Sequence, residues 1–299
     1  MRKDYPLSVV YLFAVVAMFF WSLAFIWVPQ AYDLGFRPFT VLFFRLIVAS
    51  VVLTIASVLL DSNEKITKKD KKLFFLLAFA EPFCYFMGES FGMLYVTPTM
   101  AATIVATIPL VTPFFAWFFM REGVNIYEII GLIVSFAGVL VLVMQDLNLG
   151  GEPLGVILMF VAVLSGCFYC IILKKLTSNY NPITITRYQT YIGMLMFMPF
   201  FFIFDTVPFL KADFSLIDFR YILYLGVLPS SVSFTLMAVT VHRIGIVRTN
   251  VFSNIIPVLT AILAFFILKE SFTAVKIVAM FVVIFGLVIS QINKLKVFK

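Results

Sequence analysis

The chain has 299 residues, 63% hydrophobic and only 12% charged, with a mean hydropathy of +1.10 and a formal net charge of +7. A soluble domain is about 45–50% apolar and about 25% charged, so a water-soluble globule is excluded: no core of this length could hide so much apolar surface. The basic excess forms no stripe interleaved with aromatics on a soluble domain, which excludes a nucleic-acid footprint.

Crossing a hydrocarbon core takes about 20 apolar residues as a helix. Ten such stretches follow one another: 8–28, 38–60, 73–95, 98–120, 125–144, 154–173, 183–204, 219–241, 247–268 and 273–292. The alternation of a membrane barrel is absent, so the spans are helical. The first stretch is too long and aromatic for a signal peptide, and no small-residue cleavage site closes it, so it reads as a span.

The second stretch carries Arg45, and the third reads FAEPFCYFMGESFG over 79–92, an apolar run with two glutamates. At 1.5 Å rise per residue, Glu81 and Glu89 each lie roughly 6 Å from the midplane. A charge there costs about 2.5–3.5 kcal/mol or more, so each must face a partner or water, or carry a proton. On a regular helix the two are about 80° apart, close enough to address one interior sector. Arg45 and Glu89 lie at similar depths on neighbouring spans, which predicts a structural ion pair. Glu81 has no evident partner, and Pro82 after it disturbs the helix. The functional expectation is that Glu81 faces a cavity and binds a cationic group or exchanges a proton. The bland alternative is a protonated acid bonded to a backbone carbonyl. Gly88 and Gly92 form a small-x-x-x-small face suited to close helix contact.

Farther along, Pro109 and Pro257 fall mid-span and are candidate hinges. Ser230 follows Pro229, and Asn250 and Asn254 precede Pro257; these polar groups suit either interhelical bonds or substrate contacts. Trp21, Tyr85 and Tyr169 are candidate cavity walls with polar tips. Glu122 and Glu270 close their spans and suit capping or gating. Cys84, Cys167 and Cys170 all lie inside spans, so no disulfide framework is indicated, and Cys167-x-x-Cys170 reads as core packing. The single histidine, His242, cannot complete a zinc site. No metal or cofactor is expected, and the absence of a P-loop argues against an ATP-driven pump.

With the N-terminus inside, fifteen of the 22 basic residues fall in inside segments and five in outside ones. Both termini are therefore expected in the cytoplasm.

The chain also repeats itself. Shifted by 148, residues 108–141 show nine identities in 34 positions, among them Ile108-Pro109 on Ile256-Pro257, Glu122 on Glu270 and Gly138 on Gly286. A shift of 144 brings Pro38 onto Pro182 and Arg45 onto Gln189. The expected units are 1–148 and 149–299. Five spans in each is an odd number, so the second unit enters from the opposite side. Inverted repeats with a midplane site are a recurring plan in secondary transporters.

These residues resemble the drug/metabolite transporter superfamily, and within it the EamA-like ten-helix carriers. The resemblance rests on Phe20-Trp21-Ser22, on Arg45, on TPTMAATIVATIPLVTPFFAWFFMRE at 97–122 and on IGIVRTNVFSNIIPVLTAILAFFILKE at 244–270. It implies an all-α membrane protein, with ten transmembrane helices as two inverted five-helix repeats around a central cavity lined by spans 1, 3, 4, 6, 8 and 9. It further implies transport of small organic metabolites, often export of amino acids or related compounds. The functional expectation is a secondary active transporter of the cytoplasmic (inner) membrane, working by alternating access with proton coupling. Its partners are then a small-molecule substrate and the lipid bilayer. The alternatives are a membrane-embedded structural or assembly subunit and an enzyme; HExxH and nucleophile–base arrangements are absent from the spans.

Overall fold

The computed structural model describes residues 5–62, 64–120, 125–148 and 152–295. Among the described residues all regular structure is helical. Eight helices are long and apolar enough to cross a bilayer: α1 (Leu7–Asp33), α2 (Pro38–Leu59), α3 (Lys71–Gly92), α4 (Pro98–Phe115), α5 (Ile126–Gln145), α6 (Pro153–Thr177), α7 (Pro182–Lys211) and α8 (Leu216–Ile246). Two shorter apolar helices follow, α9 (Phe252–Leu268) and α10 (Ala274–Ser290). Helical backbone continues past these apolar limits to Met120 in α4, Asn148 in α5 and Leu295 in α10.

Local chemistry sets the helix starts. Proline opens α2, α4, α6 and α7, where its fixed φ suits the first turn and its missing N–H removes nothing. Thr97 and Asn181 cap α4 and α7 by accepting from the amides of Met100 and Ile183. Large side chains such as Ile203, Leu210, Phe266 and Phe281 stay exposed on the outer surface. In water they would be a liability; in lipid they are the solvated face.

Prolines also set the irregularities. α3 widens into a π-helical segment at Phe79–Cys84 around Pro82, and α8 does the same at Leu228–Ser233 around Pro229. α4 breaks at 106–107 just before Pro109, and α9 opens as a 3-10 turn at Phe252–Asn254 just before Pro257. Proline removes one ladder bond and crowds the preceding turn, so each helix departs from the α form there. Gly245, at φ +81°, takes the left-handed backbone that lets the chain turn from α8 into α9.

Several contacts join a residue to its own repeat counterpart. α5 and α10 pack antiparallel at van der Waals distance. A Cβ on Gly131 would lie 2.5 Å from the Gly286 carbonyl, and one on Gly138 would lie 2.9 Å from that of Ala279. Between them Ser135 Oγ donates to the carbonyl of Val283, 148 positions later (2.7 Å). α2 and α7 also run antiparallel. Arg187 Nη1 donates to Ser57 Oγ at 2.7 Å, Thr54 bonds Tyr191, and Ser50 Oγ approaches Sδ of Met194, 144 positions later, at 3.8 Å. The carbonyls before the two mid-span prolines are matched as well. Ser22 Oγ of α1, which donates to the Met18 carbonyl one turn earlier at 2.8 Å, also approaches the Ile256 carbonyl at 3.4 Å, and Cys167 Sγ of α6 donates to the Ile108 carbonyl at 3.6 Å. The two donors lie at corresponding places near the middle of α1 and α6. Cys167 thus does more than fill space.

Gly88 and Gly92 face α6, where a Cβ on Gly88 would come within 2.4 Å of the Leu158 carbonyl. The sequence suggests an acidic loop over 205–218. Instead α7 continues through a π segment at Phe201–Asp205 and a last turn at Thr206–Lys211, and a short helix restarts at Leu216. Asp205 is buried: its Oδ2 accepts from the Thr40 amide (2.8 Å) and hydroxyl (3.0 Å) at the start of α2. That contact holds the chain helical where composition alone suggests a loop.

Candidate functional site

A cavity of about 80 Å³ lies where α1, α3, α4, α6, α8 and α9 meet, with α2 adding one residue, Arg45. Three charged side chains line it: Arg45, Glu81 and Glu89, at 1%, 7% and 5% exposure. One guanidinium thus shares a chamber with two carboxylates. Burial of this kind is costly unless each group is paired.

The pairing differs from the sequence expectation. Arg45 and Glu89 face one cavity, but no nitrogen–oxygen contact within 4 Å joins them among the described residues. Glu89 Oε1 instead accepts from the hydroxyl of Tyr85, one turn earlier on α3, at 3.0 Å. Arg45 Nε donates to Ser230 Oγ at 3.0 Å, and its guanidinium lies 4.1 Å from the ring centre of Phe86. The π segments explain the exchange. The wide turn around Pro229 carries Ser230 inward to Arg45, and an i, i+4 tyrosine reaches Glu89 before an arginine on the next helix does. Similar depth fixes height in the bilayer, not direction around each helix.

Glu81 occupies an extended backbone position inside the π segment, at φ −148° and ψ 119°. The regular-helix estimate of about 80° between Glu81 and Glu89 therefore does not describe their arrangement, although both reach the cavity. The Glu81 carboxylate has no hydrogen-bond donor among the described residues, and Arg45 Nη1 is buried without an acceptor. Arg45 and Glu81 nevertheless both line the chamber.

The walls are aromatic. Trp21, Tyr85 and Tyr169 line the cavity as the sequence suggests. They are organised by a residue it does not single out, Phe234. Trp21 meets Phe234 edge-on at 5.3 Å, and Tyr169 and Phe86 do so at 6.2 Å. Phe234 follows directly after the π segment of α8, and that position was its only signal among 37 phenylalanines.

Other sequence candidates separate. Pro109 lines the cavity, while Pro257 lies next to the lining residue Ile256. Ser230 acts through Arg45. Asn254 precedes the first regular turn of α9 without a capping bond, its Oδ1 is buried and unpartnered, and it is not among the residues that line the cavity. Asn250 lies on the helical turn after Gly245, and its side chain is outside the described residues, as is Glu122. Glu270 pairs with Lys276 and accepts from Thr99 Oγ1 at 2.7 Å, tying the end of α9 to the starts of α10 and α4. His242 Nδ1 bonds the Thr177 carbonyl at 2.7 Å. No group of metal-ligating side chains occurs among the described residues.

A polyhelical, lipid-solvated chain with a charged chamber at its centre is an integral membrane protein of transporter type. The EamA-like transporter family matches it twice, over residues 8–144 and 153–291, and the chain belongs to that family. It is similar to "Uncharacterized transporter YetK" of Bacillus subtilis (strain 168), at 26% identity over 84% of this chain and 77% of that protein. "Uncharacterized transporter YcxC" of the same organism is 28% identical over 95% of this chain and 93% of the relative. An "Uncharacterized transporter" of Archaeoglobus fulgidus is 25% identical over 90% and 94%. A crystal structure of a protein at 14% identity has the same fold, with a TM-score of 0.69 over 95% of this chain and 99% of the other.

Proposed function

We propose that the protein is a secondary carrier that moves a small amino-acid-like metabolite across the cytoplasmic membrane, most simply as an exporter, by alternating access. The observation that carries this reading is one chamber lined by Arg45, Glu81 and Glu89 together with Trp21, Tyr85 and Tyr169. An ammonium suits Glu81 and a carboxylate suits Arg45. Trp21, Tyr85 and Tyr169 supply an apolar wall for the side chain, and Ser230 orients Arg45. Between cargo loads Glu81 takes a proton, because a bare carboxylate in this setting is expensive. That gives proton coupling.

The frame of this mechanism is ten spans in two inverted five-helix units, 1–148 and 149–299. The α10 helix has 22 residues from Ala274 to Leu295, and helical backbone before and through α9 runs from Ile246 to Leu268; at 1.5 Å per residue each reaches about 33 Å, enough to span. Antiparallel packing of repeat counterparts, α5 on α10 and α2 on α7, supports a two-fold axis lying in the membrane plane. Pro109 and Pro257, each just after a break, serve as hinges. The basic bias places both termini in the cytoplasm.

Proteoliposome counter-flow with a panel of labelled amino acids tests the reading. The expected result is saturable exchange of at least one member, reduced at least about tenfold by Glu81→Gln. Absence of counter-flow across the panel, or an E81Q protein with unchanged rate and pH profile, ends it.

A further inference from the structure

The segment joining α2 to α3 reads EKITKKDKK over 64–72. Both of its acids are occupied by neutral donors. Glu64 Oε2 accepts from the Asn181 amide at 2.7 Å. Asp70 Oδ2 accepts from Tyr180 Oη at 2.7 Å and from Thr67 Oγ1 at 2.8 Å. Those two hydroxyls hold the Asp70 carboxyl below the usual carboxylate range. Thr184 Oγ1 adds a bond to the Ser62 carbonyl at 2.8 Å. The segment is therefore fastened to the turn between α6 and α7, in the other half of the chain.

The five lysines are left over. Lys65, Lys68, Lys69, Lys71 and Lys72 are all exposed, and none makes an ion pair with a described residue. Lys71 and Lys72 stand in the first turn of α3 after the N-cap residue Asp70, so five lysines face only two carboxylates in this segment. Immediately alongside, Val58, Leu59, Leu60 and Phe75 are exposed apolar side chains on the lipid-facing surface. A basic collar directly above a lipid-solvated belt matches the chemistry of one partner.

We propose that the 64–72 segment, held in place by Tyr180 and Asn181, is a binding site for the headgroup phosphates of anionic phospholipids. A bound headgroup neutralises the collar. It also secures the α2–α3 connection against the α6–α7 turn, coupling the two halves at that end of the bundle. Mere charge bias would need no such fastening.

The test uses the full-length protein, purified and exposed to equal amounts of phosphatidylglycerol and phosphatidylcholine in detergent, with retained lipid counted by native mass spectrometry. Each lysine near a charged headgroup is worth roughly fivefold. The wild type is expected to prefer phosphatidylglycerol by more than about tenfold in low salt, with the preference shrinking as salt screens it. Replacing the five lysines by glutamine removes the preference. Because that variant could insert wrongly, Tyr180→Phe provides a charge-neutral second arm. It releases Asp70 and lowers the preference about threefold. Equal retention of both lipids by the wild type, or an unchanged preference in the five-glutamine protein, overturns the proposal. An unchanged preference in Y180F shows diffuse attraction rather than a built site and overturns it too. Displacement by millimolar glycerol 3-phosphate assigns the lysines to a soluble phosphate and rules out the lipid.

Discussion

Helices α3 and α8 are interrupted at corresponding places, but only α3 has an extended residue there, Glu81, and the two carry different chemistry. Each widens into a π segment around a proline, Pro82 and Pro229, which are 147 positions apart. At that spacing Glu81 corresponds to Leu228 and Glu89 to Leu236, and the earlier match sets Arg45 against Gln189. All three charges of the cavity therefore come from the first half, while the second half supplies Ser230 and the ring of Phe234. The proline and the wide turn are duplicated, while the extended residue of α3 is not. Charge is present once because one small chamber cannot hold two copies of it without repulsion.

The largest effect should come from forcing the second half to imitate the first. Leu228→Glu places a carboxylate in the mirror position, where no arginine stands opposite. It should cost about 2.5–3.5 kcal/mol, read as a fall in melting temperature of the detergent-purified protein. An unchanged melting temperature would mean that the two π segments see equivalent surroundings.

Next is the contact that crosses the comparison. Ser230→Ala leaves Arg45 Nε without an acceptor and should cost about 1–3 kcal/mol. Gln189→Leu, at the position that corresponds to Arg45, removes a side chain whose Oε1 is unpaired but which bonds Tyr169, and should cost less, about 1 kcal/mol. Equal losses in the two variants would erase the distinction.

A smaller effect probes what the halves share. Ser22 and Cys167 each reach the carbonyl before a mid-span proline. Ser22→Ala should cost about 1 kcal/mol, and Cys167→Ser should change stability by less than about 0.5 kcal/mol because a hydroxyl can take over the thiol's role. A large loss in C167S would show that the two positions are not interchangeable.

The smallest effect lies outside the membrane. Asp70 has a carboxyl held low by Tyr180 and Thr67, so its contribution is present above the ordinary carboxylate pKa and disappears as pH falls through the lower folded value. Melting temperature should therefore fall more steeply below about pH 4 in the wild type than in Asp70→Asn. Parallel curves would show that this contact adds nothing.

Much of this was legible in the residues. Spans could be counted because lipid demands long apolar runs, and the repeat showed through Ile-Pro, Glu and Gly at constant spacing. Buried acids at Glu81 and Glu89 stood out because charge is rare in such runs. The partners of those charges could not be read. Depth along a helix follows from counting residues, but direction around it depends on the π turns, which a sequence signals only as Pro82 and Pro229. So Arg45 donates its hydrogen bond to Ser230, while Glu89 acts on it only across the chamber. Phe234 was hidden by abundance, and Asp205 by an assumption that acids near a span end belong to water.

Two of the contacts described above, Ser135 with Val283 and Ser50 with Met194, join positions that map onto each other between the halves. If the halves trade shapes during a cycle, every other cross-half contact is exchanged for its image, but these two are their own images. They behave as bearings on an axle. Stiffening them should leave the swing free, whereas wedging them apart stops the machine in both directions at once.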